Sequence, residues 1–266
     1  ITRPQLAIFA ADHGVAARQQ KPTPHHHTQQ LLSLFAAGGA AVNQLCLASG
    51  AGLKVFDLGL DVPTLDITAA AAMSEAGCAA TIAFGMEAIA GGTDLLCLGA
   101  VGAGASTVAA SVCCALYGGN AQDWITGSDA ALVSEAVTRH GDGLSDPLEI
   151  LRRLGGRDIA AIAGAIIAAR VQRIPVLLDG FVVAAAAALL DRLQPGSLDH
   201  CMVAHVSPDA PHHRLLQRLG KRPLLDLDIN SGDGTGAVTA IPILRATAAV
   251  HSGMATYEQA GISRPG

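Results

Sequence analysis

Two glycine-rich segments of the sequence are suited to binding an anion. Each follows a short apolar run and precedes an alanine-rich stretch: GAVGAGAST at residues 99–107 and GDGTG at residues 232–236. Backbone N–H groups exposed at glycines, together with the positive end of a following helix, form a cradle for phosphate or carboxylate. Tight strand–helix packing would explain either loop equally well. The two together favour an anionic ligand, although neither contains GxxxxGK[ST] or fits GxGxxG well.

Asp233 places a carboxylate between Gly232 and Gly234 of the second loop, where it could belong to a binding site. A solvated aspartate in a turn is the alternative interpretation. His25, His26 and His27 are consecutive, and successive side chains point in different directions, so no metal site is expected there. No GxSxG nucleophile elbow occurs, which argues against a serine hydrolase.

The elements that must position these residues alternate between short apolar strands and alanine-rich helices. Such alternation predicts one α/β domain over residues 1–266, with a parallel sheet covered by helices on both faces. The pattern predicts one long helix over residues 28–48, capped by Thr28, and a strand over residues 224–229. In open parallel sheets, ligands bind beyond the carboxyl ends of the strands. Polar residues cluster at these predicted ends, which locates the expected site.

Composition excludes several function classes. The 266 residues are 50% hydrophobic and 15% charged, which is incompatible with disorder. A net charge of −5 gives no reason to expect nucleic-acid binding. No apolar run reaches about 18 residues and no signal peptide is evident, so we expect a cytoplasmic protein that does not span a membrane. The six cysteines lack CxxC spacing and are expected to be reduced core thiols. Low surface charge favours self-association.

Taken together, a series of segments resembles one enzyme family over essentially the whole chain. Those segments are ADHGV at residues 11–15, GGAAVN at 38–43, the loop at 98–107, DPLEIL at 146–151, PVLLDGF at 175–181, the loop at 232–236 and MAT at 254–256. The family is that of the nicotinate-nucleotide:dimethylbenzimidazole phosphoribosyltransferases, which act in cobalamin nucleotide-loop assembly. The resemblance implies a three-layer, Rossmann-like α/β fold, with the small N-terminal helical segment of the family largely absent.

The family reaction displaces nicotinate from nicotinate mononucleotide by attack of an aromatic base, giving α-ribazole phosphate. The resemblance therefore implies small-molecule substrates, no cofactor, no metal and a homodimer, with a heteromer of related subunits as a further possibility. It makes Asp233 the catalytic base. The substrate-binding residues that it implies are Ser207 and the loop residues Gly102, Gly104, Ser106 and Thr107 for the phosphate, Thr23 and Phe35 beside the acceptor base, and Asp179, Gly232 and Gly234.

Several positions depart from the family pattern. Asp233 stands where the family has glutamate, Ala100 where it has a second glutamate, and Ala105 where it has asparagine. The family lysine after this loop has no counterpart, since Arg139 is the one cation in residues 130–139. One interpretation is a working transferase with an altered site. The other is a catalytically degenerate paralogue that binds nucleotide or serves as a partner subunit.

Overall fold

A six-stranded, wholly parallel sheet forms the centre of the molecule in the computed structural model, which describes residues 1–24 and 26–263. Its strands run in the order β2-β1-β3-β4-β5-β6. The strands are β1 (Pro4–Ala10), β2 (Gly52–Asp57), β3 (Leu95–Val101), β4 (Val176–Asp179), β5 (Cys201–His205) and β6 (Pro223–Leu225). The order reverses between β1 and β3, and the carboxyl ends of strands at such a switch point open a crevice for ligands.

Ten α-helices cover the sheet within the described residues. They are α1 (His27–Ala36), α2 (Ala41–Ser49), α3 (Glu75–Gly85), α4 (Ala105–Tyr117), α5 (Ala130–His140), α6 (Pro147–Leu154), α7 (Arg157–Val171), α8 (Phe181–Leu193), α9 (Ala210–Arg218) and α10 (Thr235–Gly253).

The helices pack on both faces of the sheet, as predicted, because side chains alternate along each strand. Leu6 and Ile8 of β1 pack with α2 and α10, whereas Ala7 and Phe9 pack on the opposite face with α4, α7 and α8. Both faces of β1 and β3 are therefore buried, which explains their continuous apolar runs. The predicted three-layer α/β fold is confirmed.

The single helix predicted over residues 28–48 is wrong. Gly38 adopts a φ of 74°, in the left-handed region, and divides the segment into α1 and α2. Asn43 stabilises the break, because its side chain accepts a hydrogen bond from Ala40 N (3.1 Å) and donates one to Phe35 O (2.9 Å). Thr28 is not the cap. Its hydroxyl instead donates to Asp12 Oδ1 at 2.6 Å, joining α1 to the end of β1.

The break between α1 and α2 also affects whether this segment could form a membrane-spanning helix. The segment His27–Ser49 is 23 residues long and apolar enough to cross a membrane by length and composition. In the structure, however, α1 has ten residues and α2 has nine. Neither helix alone reaches the roughly 20 residues that span a bilayer.

Two further elements differ from the predictions. The strand predicted over residues 224–229 is limited to β6, at the edge of the sheet, and Asp228 beyond it has a φ of 55°. Helix α6 was not predicted, although its start is marked in the sequence. Asp146 caps it by accepting from Leu148 N (2.9 Å), and Pro147 occupies the first turn.

Candidate active site

A cavity of about 310 Å³ opens at the carboxyl ends of β3, β4 and β5. Segments from across the chain line it: Thr23, His27, Thr28, Leu31, Ala100, Val101, Gly102, Ala105, Ser106, Asp179, Gly180, Phe181, Val182, Ser207, Asp209, Ile229, Asn230, Ser231 and Gly232. This is the edge at which the sequence predicted a ligand. The volume is at the lower end of the range usual for small-molecule sites.

Helix N-termini supply the positive end of the cavity. Both α4 and α8 begin at its wall, each after a glycine with positive φ: Gly104 (80°) and Gly180 (86°). Their first N–H groups have no intrahelical partner and carry the positive end of the helix dipole. Gly102 brings the loop before α4 against Ala11, the residue that follows β1, since a Cβ there would lie 1.7 Å from Ala11 O. The wall is thus suited to a phosphate.

Asp179 places a buried carboxyl group in the same cavity. It ends β4 and is 3% exposed. Burial raises its pKa from 3.8 to about 7, although backbone hydrogen bonds from Gly236 and Ala237 oppose the rise. The bond from Gly236 N to Asp179 Oδ2 is 2.9 Å long, and a Cβ at Gly236 would lie 2.5 Å from Oδ1. A carboxyl group that titrates near neutral pH can accept a proton in a reaction.

A second cavity of about 350 Å³ adjoins the first, and Thr23 lines both. Asp12 and His13, at the end of β1, line the second cavity. Asp12 Oδ1 accepts from Ala103 N at 2.8 Å, and His13 Nε2 lies 3.2 Å from the buried carboxylate of Asp158. Two neighbouring cavities could hold two substrates side by side.

Comparison with known proteins decides the family. Residues 1–262 match the family described as phosphoribosyltransferase. The nicotinate-nucleotide–dimethylbenzimidazole phosphoribosyltransferase of Allorhizobium ampelinum is 57% identical over an alignment 276 positions long, which covers all of this chain and 81% of that protein. The enzyme of the same name from Rhizobium johnstonii is 58% identical, over 99% of this chain and 81% of its own length.

The chain belongs to this phosphoribosyltransferase family. A solved structure agrees: the nicotinate-nucleotide–dimethylbenzimidazole phosphoribosyltransferase of Thermus thermophilus superimposes with a TM-score of 0.93 at 36% identity. The match covers 99% of this chain and 86% of that one. The resemblance found in the sequence is confirmed, and the comparisons give no support to a degenerate paralogue.

Six of the eleven site residues that the family resemblance implied meet in the first cavity: Thr23, Gly102, Ser106, Asp179, Ser207 and Gly232. Five do not line it: Phe35, Gly104, Thr107, Asp233 and Gly234. Gly104 and Gly234 instead end the loops that lead into α4 and α10.

Two of these five have structural partners that explain their positions. Phe35 is buried in the core on the α2 and α10 side of the sheet. Thr107 is fully buried, and its hydroxyl accepts from Gln19 Nε2 at 2.9 Å.

Asp233, the implied catalytic base, precedes Gly234, the N-cap residue of α10. Its Oδ1 accepts from Ser231 Oγ at 2.6 Å and from Thr235 N at 3.0 Å. Its backbone packs on Gly99, where a Cβ would lie 2.3 Å from the Asp233 carbonyl carbon. Ser231 and Gly232 line the cavity, so the carboxylate of Asp233 lies beside the wall and reaches it through a hydroxyl.

Several lining residues were missed by the sequence reasoning. His27 and Leu31 belong to the helix whose first turn was misplaced, and Phe181 continues the LLDGF motif directly after Asp179 and Gly180. Asp209 lies two residues beyond Ser207. The motif itself would have indicated Phe181, but nothing in the pattern marks α1 as a wall of the site.

The charge of the first cavity is set by aspartates. Asp179 and Asp209 line it, and its described lining contains no lysine or arginine. Among the described residues no group of three or more histidines, cysteines, aspartates or glutamates could hold a metal ion. Of the three consecutive histidines, His25 lies outside the described residues, His26 Nδ1 is 2.7 Å from Gln29 Oε1, and His27 lines the cavity.

Proposed function

We propose that this protein transfers the phosphoribosyl group of nicotinate mononucleotide to dimethylbenzimidazole or a related aromatic base. A ring nitrogen of the base attacks the anomeric carbon of the ribose, the bond from that carbon to the nicotinate nitrogen breaks, and the base loses its N–H proton. The products are nicotinate, an α-ribazole phosphate and a proton. Relatives covering the whole chain at 57–58% identity carry the name of this activity.

One observation carries the proposal: a single cavity combines helix N-termini with a buried carboxyl group whose pKa is about 7. The amides at the starts of α4 and α8 suit the phosphate of the mononucleotide. The adjoining cavity beyond Thr23 offers room for the acceptor base. Holding both reactants side by side supplies much of the rate through orientation.

Asp179 is the stronger of two candidates for accepting the azole proton. It lines the cavity, and at neutral pH a substantial fraction of it is ionised. When ionised it also places negative charge near the anomeric carbon, where positive charge develops. Asp233 remains the second candidate, because the family resemblance assigns the base to it and Ser231 connects it to the cavity wall.

The proposal also covers the surroundings of the enzyme. We propose a cytoplasmic homodimer that uses no metal or cofactor. Exposed apolar side chains support self-association: Leu47 of α2 is 79% exposed and Val250 of α10 is 57% exposed. Sedimentation equilibrium at micromolar concentration should give twice the mass of the chain, and a monomer at all concentrations would refute the dimer.

The function is tested by incubating the protein with nicotinate mononucleotide and monitoring nicotinate release with and without dimethylbenzimidazole. Release that depends on the azole is the expected result. Azole-independent release would indicate hydrolysis of the mononucleotide instead. Binding of the mononucleotide by calorimetry with no release under any condition would refute the transferase and restore the degenerate-paralogue interpretation.

A further inference from the structure

A third cavity, of about 380 Å³, is an open groove between the end of β2, helix α3 and the start of α7. None of its described lining residues lines the first or the second cavity. Its walls are formed by Asp57, Leu58, Ala80, Thr81, Phe84 and Arg157. The groove therefore combines an aromatic ring, small apolar side chains and a guanidinium group in a part of the molecule that the proposed reaction does not use.

Arg157 provides the positive charge of the groove. Its Nη1 donates to the carbonyl oxygens of Leu58 (3.0 Å) and Gly59 (3.2 Å), and also to that of Val62. Its Nε and Nη2 donate to no other described residue, and within the described chain the guanidinium forms no ion pair. These two nitrogens form an edge with parallel N–H donors, and such an edge matches the two oxygens of a carboxylate.

Phe84 provides a flat apolar wall, since its side chain is 45% exposed. Its ring meets that of Phe56 edge-on, with the ring centroids 5.8 Å apart, and Phe56 in turn stacks on Phe9 at 5.0 Å. The helices on either side of the groove are in close contact, because a Cβ at Gly164 of α7 would lie 1.9 Å from Ile82 O of α3. The wall is thus formed in advance, and it leaves part of an aromatic ring free to pack against the ring of a ligand.

Asp57 limits the charge that the groove can accept. Its Oδ1 accepts from the backbone N–H groups of Gly59 (2.9 Å) and Leu60 (3.0 Å), so the carboxylate holds the turn after β2. It forms no ion pair with Arg157. A compact ligand with a single carboxylate suits this groove better than a dianion, which Asp57 would repel more strongly.

We infer that the groove binds a small aromatic carboxylate, with the carboxylate on the Nε and Nη2 edge of Arg157 and the ring against Phe84. Nicotinate, a product of the proposed transfer, has this chemistry and is the occupant that we assign. The choice of nicotinate rests on the proposed function, whereas the class of ligand rests on the groove alone. The site is additional to the two cavities proposed for the substrates.

The first test follows the backbone amide signals of Thr81 and Phe84 by NMR in the isotopically labelled full chain. Both residues line the groove and neither lines the other two cavities, so their signals report on this site. Millimolar nicotinate should shift both signals to saturation. Nicotinamide has the ring without the charge and acetate has the charge without the ring, so each should bind about 3- to 10-fold more weakly. Absence of a shift with nicotinate, or equal affinity for either of the other probes, would overturn the inference.

The second test changes the two groups that hold the ligand. Arg157→Lys keeps the charge but removes the paired donors, and it should weaken nicotinate about 3- to 10-fold. Arg173→Lys is the matched control, because Arg173 follows the other end of α7 and lies outside the groove. Phe84→Ala should weaken nicotinate about 2- to 10-fold. Unchanged affinity in either folded groove variant, or an equal loss in Arg173→Lys, would show that nicotinate does not bind as assigned.

A third variant should bind nicotinate more tightly, which a folding defect does not produce. In Asp57→Asn the side-chain oxygen can still accept from the N–H groups of Gly59 and Leu60, while the negative charge is removed. The affinity for nicotinate should rise about 2- to 3-fold, and that for uncharged nicotinamide should stay the same. Equal or weaker binding of nicotinate would contradict the placement of its carboxylate in this groove.

These titrations require no turnover, so the inference and the proposed function can fail separately. Binding in the groove without azole-dependent nicotinate release would refute the transferase and leave the groove as a site for aromatic carboxylates. Turnover without a shift of the Thr81 and Phe84 signals would refute the groove and leave the transferase standing.

Discussion

At the scale of single residues, two carboxyl groups compete for one catalytic role. Asp179 is buried against the cavity and has a pKa near 7, whereas Asp233 is held by Ser231 Oγ and the backbone of Thr235. A base must lie within hydrogen-bond reach of the proton that it removes, so position in the cavity favours Asp179.

We expect Asp179→Asn to lower kcat by about 100-fold or more, because general base catalysis contributes roughly 10²–10⁴-fold. Asp233→Asn should have a smaller effect, since the amide oxygen can still accept hydrogen bonds from Ser231 Oγ and Thr235 N. The assay is azole-dependent nicotinate release at saturating substrates, with Asp142→Asn as a control at an exposed loop position. The reverse order of effects would return the base to Asp233.

The raised pKa of Asp179 also predicts how stability depends on pH. The folded state binds this proton more tightly than the unfolded state, so the free energy of unfolding should fall as pH rises from about 4 to about 7. Asp179→Asn removes this dependence. At about 1.4 kcal/mol per pKa unit, the difference in stability between variant and parent should change by on the order of 4 kcal/mol across the window. Urea unfolding at several pH values measures it; a constant difference would contradict the buried-carboxyl assignment.

At the scale of elements, the predicted helix and strand boundaries were wrong where contacts between residues distant in sequence decide the structure, because the local apolar pattern does not show such contacts. The pattern of apolar residues continues from α1 into α2, so periodicity alone indicates one helix. The break requires Gly38 in a left-handed conformation and Asn43 reaching back to Phe35. Beyond β6, Leu227 N donates to the side chain of His205 (Nε2, 3.0 Å) rather than to the backbone of β5, so the apolar run there does not extend the sheet.

Helices α3 and α7 cross at two glycines, and this contact gives a stability prediction. A Cβ at Gly85 would lie 1.9 Å from Ala161 O, and one at Gly164 would lie 1.9 Å from Ile82 O. Gly164→Ala should therefore force the helices apart and cost about 1–3 kcal/mol of the free energy of unfolding.

The matched control is Gly253→Ala in α10, where the added methyl group meets nothing within 4 Å. This variant should be neutral or slightly stabilised, because alanine favours a helix over glycine. Urea titration should show a lower midpoint with an unchanged slope for Gly164→Ala. Equal midpoints for both variants would mean that the two helices are not held at this distance in solution.

At the scale of the whole molecule, the sequence predicted the location of the site well. It predicted the residues that line the site less completely. The rule that ligands bind at the carboxyl ends of parallel strands located the cavity, and family motifs supplied Asp179, Ser207 and the glycine-rich loops. The wall from α1 was missed, because it reaches the cavity through the folding of a distant segment. The spacing of residues within a motif does not predict which distant segment of the chain will pack opposite that motif.

Since the cavity is lined by residues from Thr23 to Gly232, ligand binding should be linked to the unfolding of the whole chain. With nicotinate mononucleotide at 100 times its Kd, the folded state should gain about 2.7 kcal/mol. For a chain of this size that corresponds to a rise in Tm of roughly 5–10 °C. Scanning calorimetry should show one transition that moves as a unit, as one domain over residues 1–266 requires. Two transitions, with one unmoved by the ligand, would divide the chain into independently folding parts and contradict the single-domain prediction.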